Sequence, residues 1–250
     1  MRGNMILELL DERGGQATIK EIAEDLNISE MTARRDVSKL EQSGLVSRFF
    51  GGVSLNRGIL IEQALPIRNQ NLSAEKKIIG QKALEYVNDG DTICVGTGTT
   101  LNHFAKQLAG KNVTVVTTSI FTSMSLGDSG LTVYLAGGKI NYQHMYTYGE
   151  GAINFYRTMN FDTAFISAAG FSLEGGISEY TEESALIKRT MVEQSKKVVI
   201  LVDHTKFSRE RPFRSIEIED VDVVITDKMP DSQYLEIFEK NKIELVVVEP

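Results

Sequence analysis

Three groups of residues have the types and spacing to do chemistry. The first is Thr32, Arg34, Arg35 and Lys39, with Ser29 just before them and Arg48 a short way beyond. Arginine presents a planar fork that matches a guanine edge, and serine, threonine and lysine reach phosphates or bases, so this group suits a nucleic acid. The second is the run Gly96-Thr97-Gly98-Thr99-Thr100. Its glycines let successive backbone N–H groups turn toward one point and its hydroxyls add donors, which suits a phosphate; a bare structural turn is the other reading of such a loop. It lacks the lysine of a nucleotide P-loop and is too short for the dinucleotide fingerprint. The third group is scattered: Thr118 and Ser119, Gly138, Gly170 and Lys206 each follow an apolar run, and Lys206 is placed to neutralise a phosphate or meet a sugar oxygen, an ordinary surface lysine being the other reading. His103 and His204 have no metal-ligand spacing and read as structural, and Cys94 stands alone, so neither a metal, a cofactor nor a disulfide is expected.

The first group needs a scaffold, and the flanking pattern supplies one. Met5, Ile6, Leu9 and Leu10 recur at helical spacing before Gly14-Gly15. Thr18 and Glu21 have the spacing of a capping box, opening a short helix with Ile22, Ala23 and Leu26 on one face. Asn27-Ile28-Ser29 is a tight turn, and Ser29 is placed to cap a third helix that stops at Gly44. On that helix Ala33, Val37 and Leu40 face inward against Ile22 and Leu26. Thr32, Arg35 and Lys39 are left on the opposite face, with Arg34 at its margin. Leu45–Phe50, a Gly51-Gly52 turn and Val53–Leu55 read as a hairpin carrying Arg48, where it would reach the DNA backbone or an adjacent minor groove. A charged helix face alone is more often a solvated surface. Two helices joined by a tight turn and followed by a hairpin shift the reading to a winged helix-turn-helix that places its second helix in the major groove.

Charge and composition constrain this reading. A formal net charge of −7 argues against nucleic acid, but between Met31 and Arg57 the basic residues Arg34, Arg35, Lys39, Arg48 and Arg57 oppose only Asp36 and Glu41. Hydrophobic residues at 42% and charged residues at 24% are ordinary for a soluble protein, and 250 residues suffice for one or two domains. Glu8, Asp11 and Glu12 interrupt the only apolar run near the start, so no signal peptide is read there. The longest apolar runs, Val198–Val202 and Leu245–Val248, have strand length. A cytoplasmic protein without membrane association is expected.

From Ser73 onward, short apolar strands alternate with amphipathic helices, which predicts an α/β domain with a mainly parallel sheet covered on both faces. The organisation expected is a winged head at 1–56, a linker at 57–72 and an α/β domain at 73–250. In open parallel sheets, ligands sit outside the carboxyl ends of the strands. The glycine/threonine loop and the third group all fall at such ends, so they are expected to line one crevice.

The run from Thr18 to Val53 closely resembles the winged head of the DeoR family of bacterial regulators. The family's hallmark is Ser-x-x-Thr-x-Arg-Arg-Asp-Leu, then Leu-x-x-x-Gly and a wing ending in Gly-Gly. This sequence has it from Ser29 onward, with Val37 for the final leucine. Asp91–Thr100, Ala136-Gly137-Gly138, Phe161–Gly170, Gly175–Ser178 with Glu182-Glu183, Lys188-Arg189 and Leu201–Phe207 resemble the family's sensor domain, which is similar to ribose-5-phosphate isomerase. The resemblance implies operator DNA and a phosphorylated sugar as partners, a homo-oligomer (dimer or tetramer), and repression of sugar-uptake or catabolic genes. It departs at Gly96, where the family's loop usually opens with aspartate, so a carboxylate contact with a sugar hydroxyl has no counterpart there. The alternative is a sugar-phosphate isomerase carrying a DNA-binding head, with Glu174, Glu179, Glu182 or Glu183 as base, although no spacing marks one of them.

Overall fold

A computed structural model describes residues 2–13, 15–42, 46–49, 52–55, 73–142 and 144–249. The expected stop at Gly44, the turn residue Gly51 and the linker at 57–72 lie outside the described residues. The chain divides into two compact units, Met1–Gln63 and Ala64–Pro250.

The first unit packs α1 (Arg2–Glu12), α2 (Ile19–Asp25) and α3 (Glu30–Gln42) beside a small antiparallel sheet of β1 (Gln16–Ala17), β2 (Val46–Phe49) and β3 (Gly52–Leu55). The sheet order is β1-β3-β2, so the hairpin gains a third strand that the sequence reading did not foresee. Apolar residues at helical spacing meet in one core: Ile6 and Leu10 from α1, Ile22 and Ala23 from α2, and Ala33, Val37 and Leu40 from α3. The capping box forms, with the Glu21 amide donating to Thr18 Oγ1 at 3.1 Å and the Thr18 amide donating to Glu21 Oε2 at 2.7 Å. The hydrogen bonds from the Thr18 amide and hydroxyl, helped by the nearby Arg13 charge, also hold the Glu21 carboxyl below the usual carboxylate range. Asn27 takes the left-handed conformation, φ 50°, which turns the chain sharply between α2 and α3.

The second unit follows in chain order as α4 (Ser73–Ala83), β4 (Thr92–Val95), α5 (Thr99–Ala105), β5 (Thr114–Thr117), α6 (Ile120–Ser125), β6 (Thr132–Leu135), β7 (Lys139–Asn141), β8 (Tyr146–Tyr148), α7 (Glu150–Arg157), β9 (Thr163–Ile166), β10 (Gly170–Ser172), β11 (Gly176–Glu179), α8 (Glu182–Glu193), β12 (Val198–Leu201), β13 (Phe213–Ile216), β14 (Val223–Thr226), α9 (Ser232–Asn241) and β15 (Glu244–Val247). Seven strands form a parallel sheet in the order β15-β14-β12-β9-β4-β5-β6. Alternate residues feed opposite faces: Ile93 and Val95 pack with α4 and α5, whereas Cys94 faces Tyr156 of α7 and Met191 of α8. Burial on both faces explains why these strands read as continuous apolar runs. β10, β11 and β13 make a separate antiparallel sheet, and β7 pairs with β8.

Candidate nucleic-acid interface and effector crevice

In the first unit, α3 presents Arg34, Arg35 and Lys39 to solvent while Ala33, Val37 and Leu40 are buried. Ser29 caps α3, accepting from the Thr32 amide at 3.2 Å, and its Oγ lies 2.9 Å from Thr32 Oγ1. These two hydroxyls therefore shape the start of the helix. Arg34 meets Glu30 at 3.6 Å one turn back, and Arg35 Nε lies 3.9 Å from Asp36. Both arginines stay largely exposed, so these ion pairs are weak and easily exchanged for a phosphate or base edge. Arg48 behaves differently. Its Nη2 donates to the Arg34 carbonyl at 3.0 Å and also to Ser38 Oγ, and its Nε lies 3.2 Å from Glu41. The wing is thus fastened to the recognition helix by the residue expected to extend from it.

In the second unit, chain order along the sheet runs from β4 through β5 to β6 on one side, then from β9 through β12 and β14 to β15 on the other. The direction reverses between β4 and β9, and at such a switch point the loops diverge and open a crevice. Gly96–Thr100 leaves β4 there, and Ser167–Ala169 leaves β9 beside it. Gly98 has φ 145°, and a Cβ on it would come within 3.0 Å of Ser167 Cβ. Only glycine holds the two loops this close. Gly98 caps α5 without a side-chain hydrogen bond, whereas Ser119 caps α6 and Thr181 caps α8 through their hydroxyls. Thr99 and Thr100 are buried and Thr97 is half-buried. At Gly96 the amide donates to the Phe165 carbonyl at 2.9 Å, and a Cβ would face Leu101 and Met191 at 3.4 and 3.6 Å. A Cβ there would also lie 3.5 Å from the Phe165 carbonyl oxygen, so a side chain at Gly96 would point into mostly apolar packing.

The remaining expected residues separate into distinct places. Thr118 is buried beside the Tyr156 hydroxyl, whose ionisation burial drives well above the usual tyrosine range. Ser119 is committed to capping α6, accepting from the Thr122 amide at 3.1 Å. Gly138 follows edge strand β6 with φ 155°, and a Cβ there would collide with the Tyr148 carbonyl, so its local role is to let β7 and β8 close. Gly170 opens β10 opposite Ser178. Lys206 lies in a 3₁₀ turn, His204–Lys206, at the carboxyl end of β12. Burial works to raise the Asp203 carboxyl, but the charges of Lys206 and Lys76 and the bonds from Thr205 outweigh it and hold the group below the usual range.

Sequence reasoning gave no site role to two lysines around this edge. Lys76 on α4 and Lys188 on α8 are buried. Lys188 Nζ donates to the Ser167 carbonyl at 2.6 Å and to Glu179 Oε1. Glu179 also accepts from the Ala169 amide at 3.3 Å and from Ser184 Oγ at 3.1 Å. This paired, fully bonded carboxylate braces the β9 loop that faces Gly98. The neighbouring residues Lys77 and Arg189 are exposed. A helical charge pattern alone could not mark which lysine is turned inward.

Comparison with known proteins accounts for both units. Residues 2–58 match the DeoR-like helix-turn-helix domain, and residues 71–228 match the DeoR C terminal sensor domain. The chain belongs to the DeoR family. Its relatives include the HTH-type transcriptional repressor GlcR of Bacillus subtilis (strain 168), 34% identical over 98% of this chain and 94% of that protein. The lactose phosphotransferase system repressor of Lactococcus lactis subsp. lactis is 34% identical over 93% of this chain and 92% of its own. The glycerol-3-phosphate regulon repressor of Escherichia coli (strain K12) is 28% identical over 98% and 97%. Among solved structures, ribose 5 phosphate isomerase A from Neisseria gonorrhoeae matches 55% of this chain and 54% of that chain at 21% identity and TM-score 0.41. This DeoR-family protein is a DNA-binding transcriptional regulator, with a winged head and an α/β sensor. Among the described residues no helix is long and apolar enough to cross a membrane, and none cluster as a metal site.

Proposed function

We propose that this regulator represses sugar-uptake or sugar-catabolic genes from the cytoplasm, and that a phosphorylated sugar in the sensor crevice alters its grip on operator DNA. The observation that carries this is the Gly96–Thr100 loop at the sheet's switch point, with the Lys76–Asp203–Lys206 cluster at the same carboxyl edge. Backbone amides and hydroxyls take the phosphate, and the lysines supply the positive field. Thr118, Gly138 and Gly170, each tied into local packing, shape the strand ends around the crevice rather than meeting the ligand. The names of the lactose and glycerol-3-phosphate relatives support a sugar-related effector. An effector acts only by binding one arrangement of the regulator better than another.

The DNA face comprises Arg34, Arg35 and Lys39 on α3, with Ser29, Thr32 and Arg48 shaping it. The head is assigned to 1–56, the linker to 57–72 and the sensor to 73–250. One head offers a small interface, so a homo-oligomer placing two heads on paired half-sites gives useful affinity. Catalysis is not part of the reading. Aldose–ketose isomerisation needs a free carboxylate base. Glu174, Glu182 and Glu183 are exposed, and Glu179 is neutralised by Lys188.

A thermal-shift screen of sugar monophosphates, followed by titration of each hit against operator-bound protein, tests this function. A ligand that binds the fold raises its melting temperature. The reading requires at least one hit that also changes operator affinity. Isomerase turnover of a hit, with operator affinity unchanged, would favour the enzyme reading instead.

A further inference from the structure

We propose that His204 and Lys228 form a second anion-recognition point, so that the effector is a six-carbon sugar carrying a negative group at each end. This rests on the phosphate-sensing reading of the Gly96–Thr100 loop and extends it to the class of ligand.

His204 and Asp227 follow the neighbouring strands β12 and β14 at the same carboxyl edge of the sheet as that loop. Asp227 is buried and grips His204 twice, accepting from its amide through Oδ1 at 2.6 Å and facing Nδ1 through Oδ2 at 2.6 Å. With Nδ1 held by a buried carboxylate, the partly exposed imidazole has one orientation and one remaining atom to offer, Nε2. That atom faces the Lys228 ammonium at 3.4 Å, and Lys228 is exposed. Nε2 is left as the acceptor that orients the Lys228 ammonium, and that exposed ammonium carries the charge an anion would meet. The pair is thus a fixed ring and an exposed cation presented together at the carboxyl edge of the sheet. Lys206, in the same turn as His204, adds a second cation beside Asp203.

The spacing sets the ligand. β4 and β12 are separated by β9 alone, and strands lie about 4.8 Å apart, so the loop after β4 and the turn after β12 stand roughly 10 Å apart. Five C–C bonds of about 1.5 Å, lengthened by a phosphoester at one end and a charged group at the other, cover that distance. A three-carbon phosphate does not. Phosphate and carboxylate both satisfy the second point.

Calorimetric titration of the full chain separates the possibilities. The probes are fructose 1,6-bisphosphate, 6-phosphogluconate, fructose 6-phosphate and inorganic phosphate. The proteins are wild type, Lys228→Ala, His204→Asn and Thr99→Asp. Asparagine keeps a donor toward Asp227 and lacks Nε2, so His204→Asn tests recognition rather than folding. Wild type is expected to bind a doubly charged probe at least tenfold tighter than fructose 6-phosphate, and the tighter of the two identifies the second group as phosphate or carboxylate. Lys228→Ala and His204→Asn should erase that preference and leave fructose 6-phosphate binding unchanged. Fructose 6-phosphate bound as tightly as the doubly charged probes, in a manner abolished by Thr99→Asp, would overturn this inference and leave the phosphate loop standing. Equal weakening of every probe by His204→Asn and Lys228→Ala would reduce the pair to a structural brace. Binding of none of the probes would remove both readings.

Discussion

Arg48 on the wing donates to the main-chain carbonyl of Arg34 on the recognition helix across 3.0 Å. Ser38 Oγ donates to that same carbonyl at 2.9 Å, so a strand, a helix backbone and a side chain converge on one oxygen. The sequence reading sent Arg48 to the DNA backbone or minor groove; the structure gives it partners within the head. Arg48→Ala should therefore weaken operator binding by loosening the wing, while the slope of log affinity against log salt stays as in wild type. Loss of a phosphate contact would instead make the slope shallower by about 0.9. Fluorescence anisotropy across a salt series decides between the two.

Among the described residues, Arg35 has only a long contact with Asp36. Arg35→Ala should cost about 1–3 kcal/mol of operator binding and relax specificity at a single base position, as loss of a bidentate guanine contact does. Binding measured on the operator and on single-base variants checks this. Unchanged affinity and specificity in a folded variant would remove α3 from the groove.

Gly96 and Gly98 are two residues apart and should respond oppositely to alanine. Gly96 has room for a Cβ at ordinary contact distances, so Gly96→Ala should leave stability nearly unchanged. At Gly98, φ 145° and the 3.0 Å approach to Ser167 Cβ force both strain and a shift of the β9 loop. Gly98→Ala should cost about 1–3 kcal/mol. Urea denaturation of the two variants gives the comparison, and equal midpoints would contradict the close packing of the two loops.

The sequence revealed what local spacing controls. Thr18 and Glu21 announce the start of α2 because a capping box is complete within four residues, and the alternation of strands and helices follows from burial on both sheet faces. The small sheet of β10, β11 and β13 was not legible. Its strands are three or four residues long, two begin with glycine, and β13 pairs with β11 from more than thirty residues away. In the crevice, the glycine/threonine loop stood out because glycine and threonine are locally distinctive. Lys76 and Lys188 did not, because only tertiary packing turns them inward while Lys77 and Arg189 remain outside. The pairing of His204 with Asp227 likewise depends on two strands becoming neighbours.

Asp203 makes the crevice sensitive to acid. The lysine charges and Thr205 bonds overcome burial and lower its folded-state pKa. A carboxyl lowered in this way adds stability that is fully present above its unfolded value, about 3.9, and is lost as pH falls through the folded value. The sensor should therefore begin to lose this contribution below about pH 4. Asp203→Asn should flatten that part of the acid limb while keeping an acceptor for Thr205. Denaturation midpoints from pH 6 down to pH 2.5 measure it, and identical acid limbs would contradict the lowered pKa.

In the proposed function, the Gly96–Thr100 loop receives the phosphate through which an effector controls the DNA-binding head. Thr99→Asp places a carboxylate where that anion belongs, adding repulsion and competing for the same amide donors. The head folds around its own core, so operator binding should persist. Lys206→Ala should give a milder form, responding only at higher ligand concentration. The decisive measurement titrates the sugar phosphate that shifts wild-type operator affinity against operator-bound wild type and Thr99→Asp. Thr99→Asp is expected to hold the operator with wild-type affinity and not to respond at any ligand concentration that saturates wild type. A folded Thr99→Asp protein that responds at the wild-type concentration would contradict it and move the effector site away from this loop.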